Sequence, residues 1–123
     1  MLVDLQHSNF EDHVMSVGIV LIDCWAPWCG ACKDFMPTFE AAAERHTEHT
    51  FAKLDTQAEE ELAKKLEVRH IPTIILFRDG LLLLRRPGYL SEAEIDEAIG
   101  TAEGLDMEQV RADMEKRMAG ESG

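Results

Sequence analysis

Cys29 and Cys32 are the residues whose type and spacing point most directly to chemistry. Thiols three positions apart fall on one helical face and within reach of a bridge, so they can cycle between dithiol and disulfide. The same spacing could supply two ligands of a metal site, so the pair alone leaves redox exchange and metal binding open. Cys24, the third cysteine, makes the count odd; following an apolar run, it reads as a small buried core residue.

What separates the two thiols is their place on the element that must carry them. Phe35, Met36, Phe39 and Ala43 recur at helical spacing after the Pro27 turn, which predicts a helix from near Cys29 towards His46, kinked at Pro37. At its start, unpaired backbone N–H groups and the positive end of the dipole favour a thiolate on Cys29. Cys32 sits one turn deeper and suits a resolving thiol. Cys29 would attack a substrate disulfide, and Cys32 would then displace the captured sulfur and close the bridge.

The run Ile19-Val20-Leu21-Ile22 predicts a central strand covered on both faces. Asp23 ends that apolar run, where burial would raise its carboxyl pKa. Further elements follow from local signals: a strand near Val3 to Leu5, a short helix capped by Ser8 and Glu11, and a strand from Phe51 to Asp55. A surface helix over Ala58 to Leu66 comes next, then a hairpin of Thr73 to Phe77 and Leu81 to Arg85 around Asp79-Gly80, and a helix capped by Ser91 and Glu94. This order predicts an α/β domain with a mixed sheet between helices. Met107, Val110, Met114 and Met118 share one face of a further helix. The expected division is a domain over residues 1–104 and a helical extension over residues 105–123 with a frayed end.

Twenty-four acidic against 12 basic residues give 123 residues a net charge of -12, a field that repels phosphate backbones and anionic lipid. Neither nucleic acid nor a membrane surface is therefore an expected partner. The longest apolar runs, Val17 to Ile22 and Leu81 to Leu84, fall far short of the roughly 20 residues that span a bilayer. With no signal-peptide pattern at the start, the expected location is the cytoplasm, where thiols are mostly kept reduced.

Trp25-Ala26-Pro27-Trp28-Cys29-Gly30-Ala31-Cys32-Lys33 resembles the active-site segment of the thioredoxin family, and Ile71-Pro72-Thr73 resembles that family's cis-proline loop. The resemblance runs from about Asp4 to Ala102. It implies a thioredoxin fold, with a five-stranded mixed sheet flanked by helices on both faces, and a thiol-disulfide oxidoreductase that reduces protein disulfides. It also implies that no dissociable cofactor is needed and that electrons come from thioredoxin reductase, an NADPH flavoprotein. A monomer is expected.

By the same resemblance Asp23 accepts the proton of Cys32, Lys53 lies beside that aspartate and opposes its protonation, and Trp28, Gly30, Ala31, Ile71, Pro72 and Gly88 shape a substrate groove, with Tyr89 near it. Ala31 departs from the proline usual in the family, which puts the redox potential in doubt. His70 stands where glycine is common; an imidazolium there would favour the Cys29 thiolate. No histidine separates the cysteines, which favours a reductase over a disulfide isomerase or oxidase on the same fold. The rivals from other classes are a metal-binding module using Cys29, Cys32 and His70, and a non-catalytic scaffold. His46 and His49 could be two metal ligands, but the sequence shows no third.

Overall fold

The structure, a computed structural model, describes residues 2–122. Its strands are β1 (Leu2–Asp4), β2 (Ile19–Trp25), β3 (Thr50–Asp55), β4 (Thr73–Arg78) and β5 (Leu81–Pro87). Its helices are α1 (Phe10–Val14), α2 (Gly30–Arg45), α3 (Glu60–Lys65), α4 (Glu92–Glu103) and α5 (Met107–Ser122). The sheet order is β1-β3-β2-β4-β5, with β1, β3 and β2 parallel and β4 and β5 antiparallel to the strands before them.

β2 sits at the centre, and its alternating side chains feed two cores. Ile19 and Leu21 pack with Phe35 and Phe39 of α2 and Ile95 and Ile99 of α4. Val20, Ile22 and Cys24 pack on the other face with Val14 of α1 and Leu62 and Leu66 near α3. The unbroken apolar run is thus explained by a strand with no wet face. α2 continues through Pro37 without a break.

Local signals form the expected structures where their partners are also local. Ser91 Oγ accepts from the Glu94 N–H at 3.1 Å and the Glu94 carboxylate accepts from the Ser91 N–H at 3.0 Å, closing the expected capping box. Asp79 and Gly80 both have positive φ, 53° and 81°, as a two-residue hairpin turn requires. Asp79 also exchanges hydrogen bonds with Gly18, its N–H donating to the Gly18 carbonyl at 2.9 Å and its Oδ1 accepting the Gly18 N–H at 2.8 Å.

The expected cap at Ser8 is not formed. Asn9 occupies the N-cap of α1, and its side chain turns back to accept from the Gln6 N–H and donate to the Asp4 carbonyl. The Asn side chain therefore stabilises the turn after β1 rather than the helix start.

A bulge in β5 accounts for its run of leucines. Leu76 pairs with Leu84 and Phe77 with Leu82, leaving Leu83 as the extra residue. Leu83 and Leu84 both reach the α2/α4 core, while Leu82 packs on the opposite one.

α5 begins where the Arg78 guanidinium donates to the carbonyls of Ala102 at 2.6 Å and Leu105 at 3.0 Å. The Arg111 guanidinium donates back to the Asp79 carbonyl at 3.2 Å. Met107, Val110 and Met114 are half-buried and Met118 is exposed. Gly123, the end of the expected extension, lies outside the described residues. No helix among the described residues is long and apolar enough to cross a membrane.

Candidate active site

Chain reversal at the end of β2 creates the site. Trp25 ends the strand, Pro27 and Trp28 form the exposed turn, and Cys29 becomes the N-cap of α2 with an extended backbone. Its N–H donates to the Ala26 carbonyl at 3.1 Å, and its Sγ accepts from the Cys32 N–H at 3.2 Å. That bond meets one of the donors a helix start leaves free.

Cys29 and Cys32 are joined as a disulfide with Cα atoms 5.3 Å apart, so the structure shows the oxidised form. Cys29 is 7% exposed and Cys32 fully buried. Around them pack Ala26, Trp25 and Ile71. Trp28, beside the pair in sequence, is 70% exposed.

The Ile71–Pro72 peptide bond is cis. Pro72 is buried, and its carbonyl accepts the N–H of exposed Gly88 at 2.8 Å. Gly88 has φ +90°, a conformation that admits glycine readily and other residues with strain. This bond brings together two segments that the sequence keeps 16 positions apart. Tyr89, next along, stacks on Phe35 at 6.2 Å between ring centroids.

Asp23 is fully buried, and neither carboxylate oxygen has a hydrogen-bond partner among the described protein groups. Its strand face is that of Ile19 and Leu21, beneath α2 and α4. Burial pushes its pKa up to about 7, against the opposing pull of Lys53. Lys53 is its register partner on β3, with Nζ 5.9 Å from the Trp25 ring centroid and 3.9 Å from Asp4 Oδ1.

His70 is exposed and borders a shallow depression lined by Glu67, Arg69, Thr73, Arg85 and Pro87, whereas the neighbour packed against the cysteine pair is Ile71. Gly30 and Ala31 are exposed on the first turn of α2. Cys24 faces the opposite core, where burial, then the Asp23 charge, raises its thiol pKa strongly. Trp25 and Ala26 also wall the site; the sequence places them in the resembling segment without assigning them a role, and their place at a strand end just before the Cys-x-x-Cys pair is the signal for it.

The sequence model of the Thioredoxin family matches residues 1–101. The chain belongs to the thioredoxin family. Putative thioredoxin 2 of Streptomyces coelicolor is 41% identical over 117 residues, covering 95% of this chain and 87% of its own. The thioredoxin of Mycobacterium tuberculosis is 46% identical over 95 residues, 76% of this chain and 82% of its own. A solved chain from work on the thiol resolving mechanism in yeast mitochondrial 1-Cys peroxiredoxin via glutathione/thioredoxin systems has a TM-score of 0.74 at 25% identity, covering 81% of this chain and 94% of its own.

This thioredoxin-family chain, with the expected fold, is a thiol-disulfide oxidoreductase that works by dithiol exchange through Cys29 and Cys32 and reduces protein disulfides. Proteins of the family act on disulfide substrates and are reduced by thioredoxin reductase.

Proposed function

We propose that Cys29 is the attacking thiolate, Cys32 the resolving thiol and Asp23 the acceptor of the Cys32 proton, with thioredoxin reductase returning the electrons. The observation that carries this assignment is the asymmetry of the pair: only Cys29 retains exposed surface, and it sits at the helix N-cap, accepting the Cys32 N–H. A donor and a helix dipole aimed at one sulfur favour its anion.

The exchange balances without a cofactor. Reduced Cys29 attacks one sulfur of a target disulfide, forming a mixed disulfide and expelling the other target sulfur as a thiolate, which takes a proton from solvent. Cys32 gives its proton to Asp23 and attacks Cys29 Sγ; the second target sulfur leaves, and the Cys29–Cys32 bridge forms. Two electrons have passed to the target. An aspartate raised to about 7 is basic enough to take that proton near neutral pH.

Exposed Trp28, Gly30, Ala31 and Gly88, with Ile71 and Pro72, form the docking groove. Lys53 tunes Asp23, and an imidazolium at His70, one residue before Ile71, would favour the Cys29 thiolate. The protein works as a cytoplasmic monomer, residues 1–104 forming the catalytic domain and residues 105–123 a helical extension.

The test is to mix each reduced single mutant with a disulfide-bonded protein. Cys32→Ser should accumulate a mixed disulfide through Cys29, and Cys29→Ser should show neither trapping nor reductase-coupled turnover. Trapping by Cys29→Ser instead would reverse the roles.

A further inference from the structure

A second cluster of ligating side chains lies at the other end of α2 from the cysteines. A helix of 16 residues is roughly 24 Å long, so this cluster is remote from the dithiol. The turn after α2 carries His46, Glu48 and His49, and α4 ends at Glu103. Only the tertiary fold brings them together.

His49 Nε2 stands 3.2 Å from Glu103 Oε2 and 3.5 Å from Glu48 Oε1, with its side chain only 12% exposed. Ligand atoms of the three residues all lie within 4.8 Å of one another. One imidazole nitrogen can donate at most one proton, yet two carboxylates converge on it. A hydrogen bond to one leaves the other beside a like charge without this imidazole as its donor. A divalent cation at their centre satisfies all three groups. Zinc bound to imidazole nitrogen and carboxylate oxygen at about 2.1 Å in a tetrahedron sets ligand atoms about 3.4 Å apart, close to the spacings His49 already shows.

We propose that Glu48, His49 and Glu103 bind one divalent transition-metal ion of the zinc class, fastening the turn after α2 to the end of α4. Water completes the coordination. A neutral imidazole among the ligands selects zinc-like ions over magnesium and calcium, which prefer oxygen alone. The net charge of -12 raises the local concentration of any divalent cation.

His46 supports the arrangement from behind. Its Nε2 is 2.7 Å from Asp96 Oδ1, which also accepts from Arg45 at 2.7 Å, and its Nδ1 lies 3.6 Å from Glu48 Oε1. His46 is thus a positioning residue for Glu48.

The experiment titrates zinc chloride into the oxidised full chain by isothermal calorimetry. With Cys29 and Cys32 bridged and Cys24 buried, thiols cannot supply ligands. One ion per chain should bind. His49→Ala and Glu103→Gln should each weaken binding by about tenfold or more, since losing even a supporting contact costs that much. His7→Ala, which removes an exposed imidazole elsewhere, should leave binding unchanged. Bound zinc should raise the thermal midpoint of the wild type but not of Glu103→Gln. Glu103 is exposed at a helix end, so its substitution keeps the test valid even if His49→Ala folds poorly. Absence of binding, binding that survives both substitutions, or equal binding of magnesium would overturn the proposal.

Discussion

Asp23 and Lys53 are register partners in the β2–β3 ladder, yet the carboxylate oxygens of Asp23 accept no hydrogen bond from a described protein group, while the Lys53 ammonium lies 5.9 Å from the centre of the Trp25 ring. The aspartate therefore feels the lysine through space rather than through contact. Desolvation wins over that attraction and sets the pKa at about 7.

A folded-state pKa above the unfolded value means the folded protein keeps a proton that the unfolded chain loses. The resulting stability is complete below pH 4 and is lost as pH rises through about 7. Asp23→Asn removes this dependence. The oxidised variant should match the wild type near pH 4 and exceed it at pH 8 by up to the order of 4 kcal/mol. Urea unfolding at the two pH values measures the gap, and a constant difference would contradict a raised pKa.

Lys53→Met removes the charge that holds Asp23 down. The Asp23 carboxyl titration, followed by NMR, should shift to higher pH, and the pH above which turnover is fastest should move with it. An unmoved titration would mean the two groups are not coupled.

Trp28 is too exposed to contribute much to folding. Trp28→Ala should change stability by less than about 0.5 kcal/mol. Its effect should appear as a raised KM for protein disulfides with kcat little changed, because the indole supplies binding area beside Cys29. A loss of kcat alone would remove it from the groove.

Cys24 combines complete burial with a thiol pKa raised by that burial. In the reduced native protein, iodoacetamide should modify Cys29 and spare Cys24 until the chain is unfolded. Peptide mass mapping distinguishes the sites; early modification of Cys24 would contradict its placement in the α1/α3 core.

Ser91→Ala removes the arm of the capping box in which Ser91 Oγ accepts the Glu94 N–H, and leaves the Glu94 carboxylate its bond from the backbone N–H of residue 91. The expected loss is about 1 kcal/mol in urea unfolding, with no change in dithiol reactivity.

The sequence by itself determined the features whose causes lie within a few residues. The Cys29–Cys32 spacing, the helix start that gives the two sulfurs different surroundings, the Asp79-Gly80 turn and the Ser91–Glu94 cap are each specified by neighbours in the chain. The apolar run of β2 announced a strand buried on both faces, and hence the class of sheet. Even local signals can compete, as Asn9 shows by taking the cap position expected of Ser8 and then using its side chain elsewhere.

Only the tertiary structure decided the environments those residues occupy. Asp23 could have turned to solvent at a strand end; its burial follows from α2 and α4 covering that face of β2, and its pKa follows from the burial. The Leu83 bulge, the Gly88 bond to Pro72 and the meeting of His49 with Glu103 all depend on register or packing between segments far apart in the chain. Dielectric, pairing and ligand geometry are properties of the assembled neighbourhood, and no local pattern of residues encodes them.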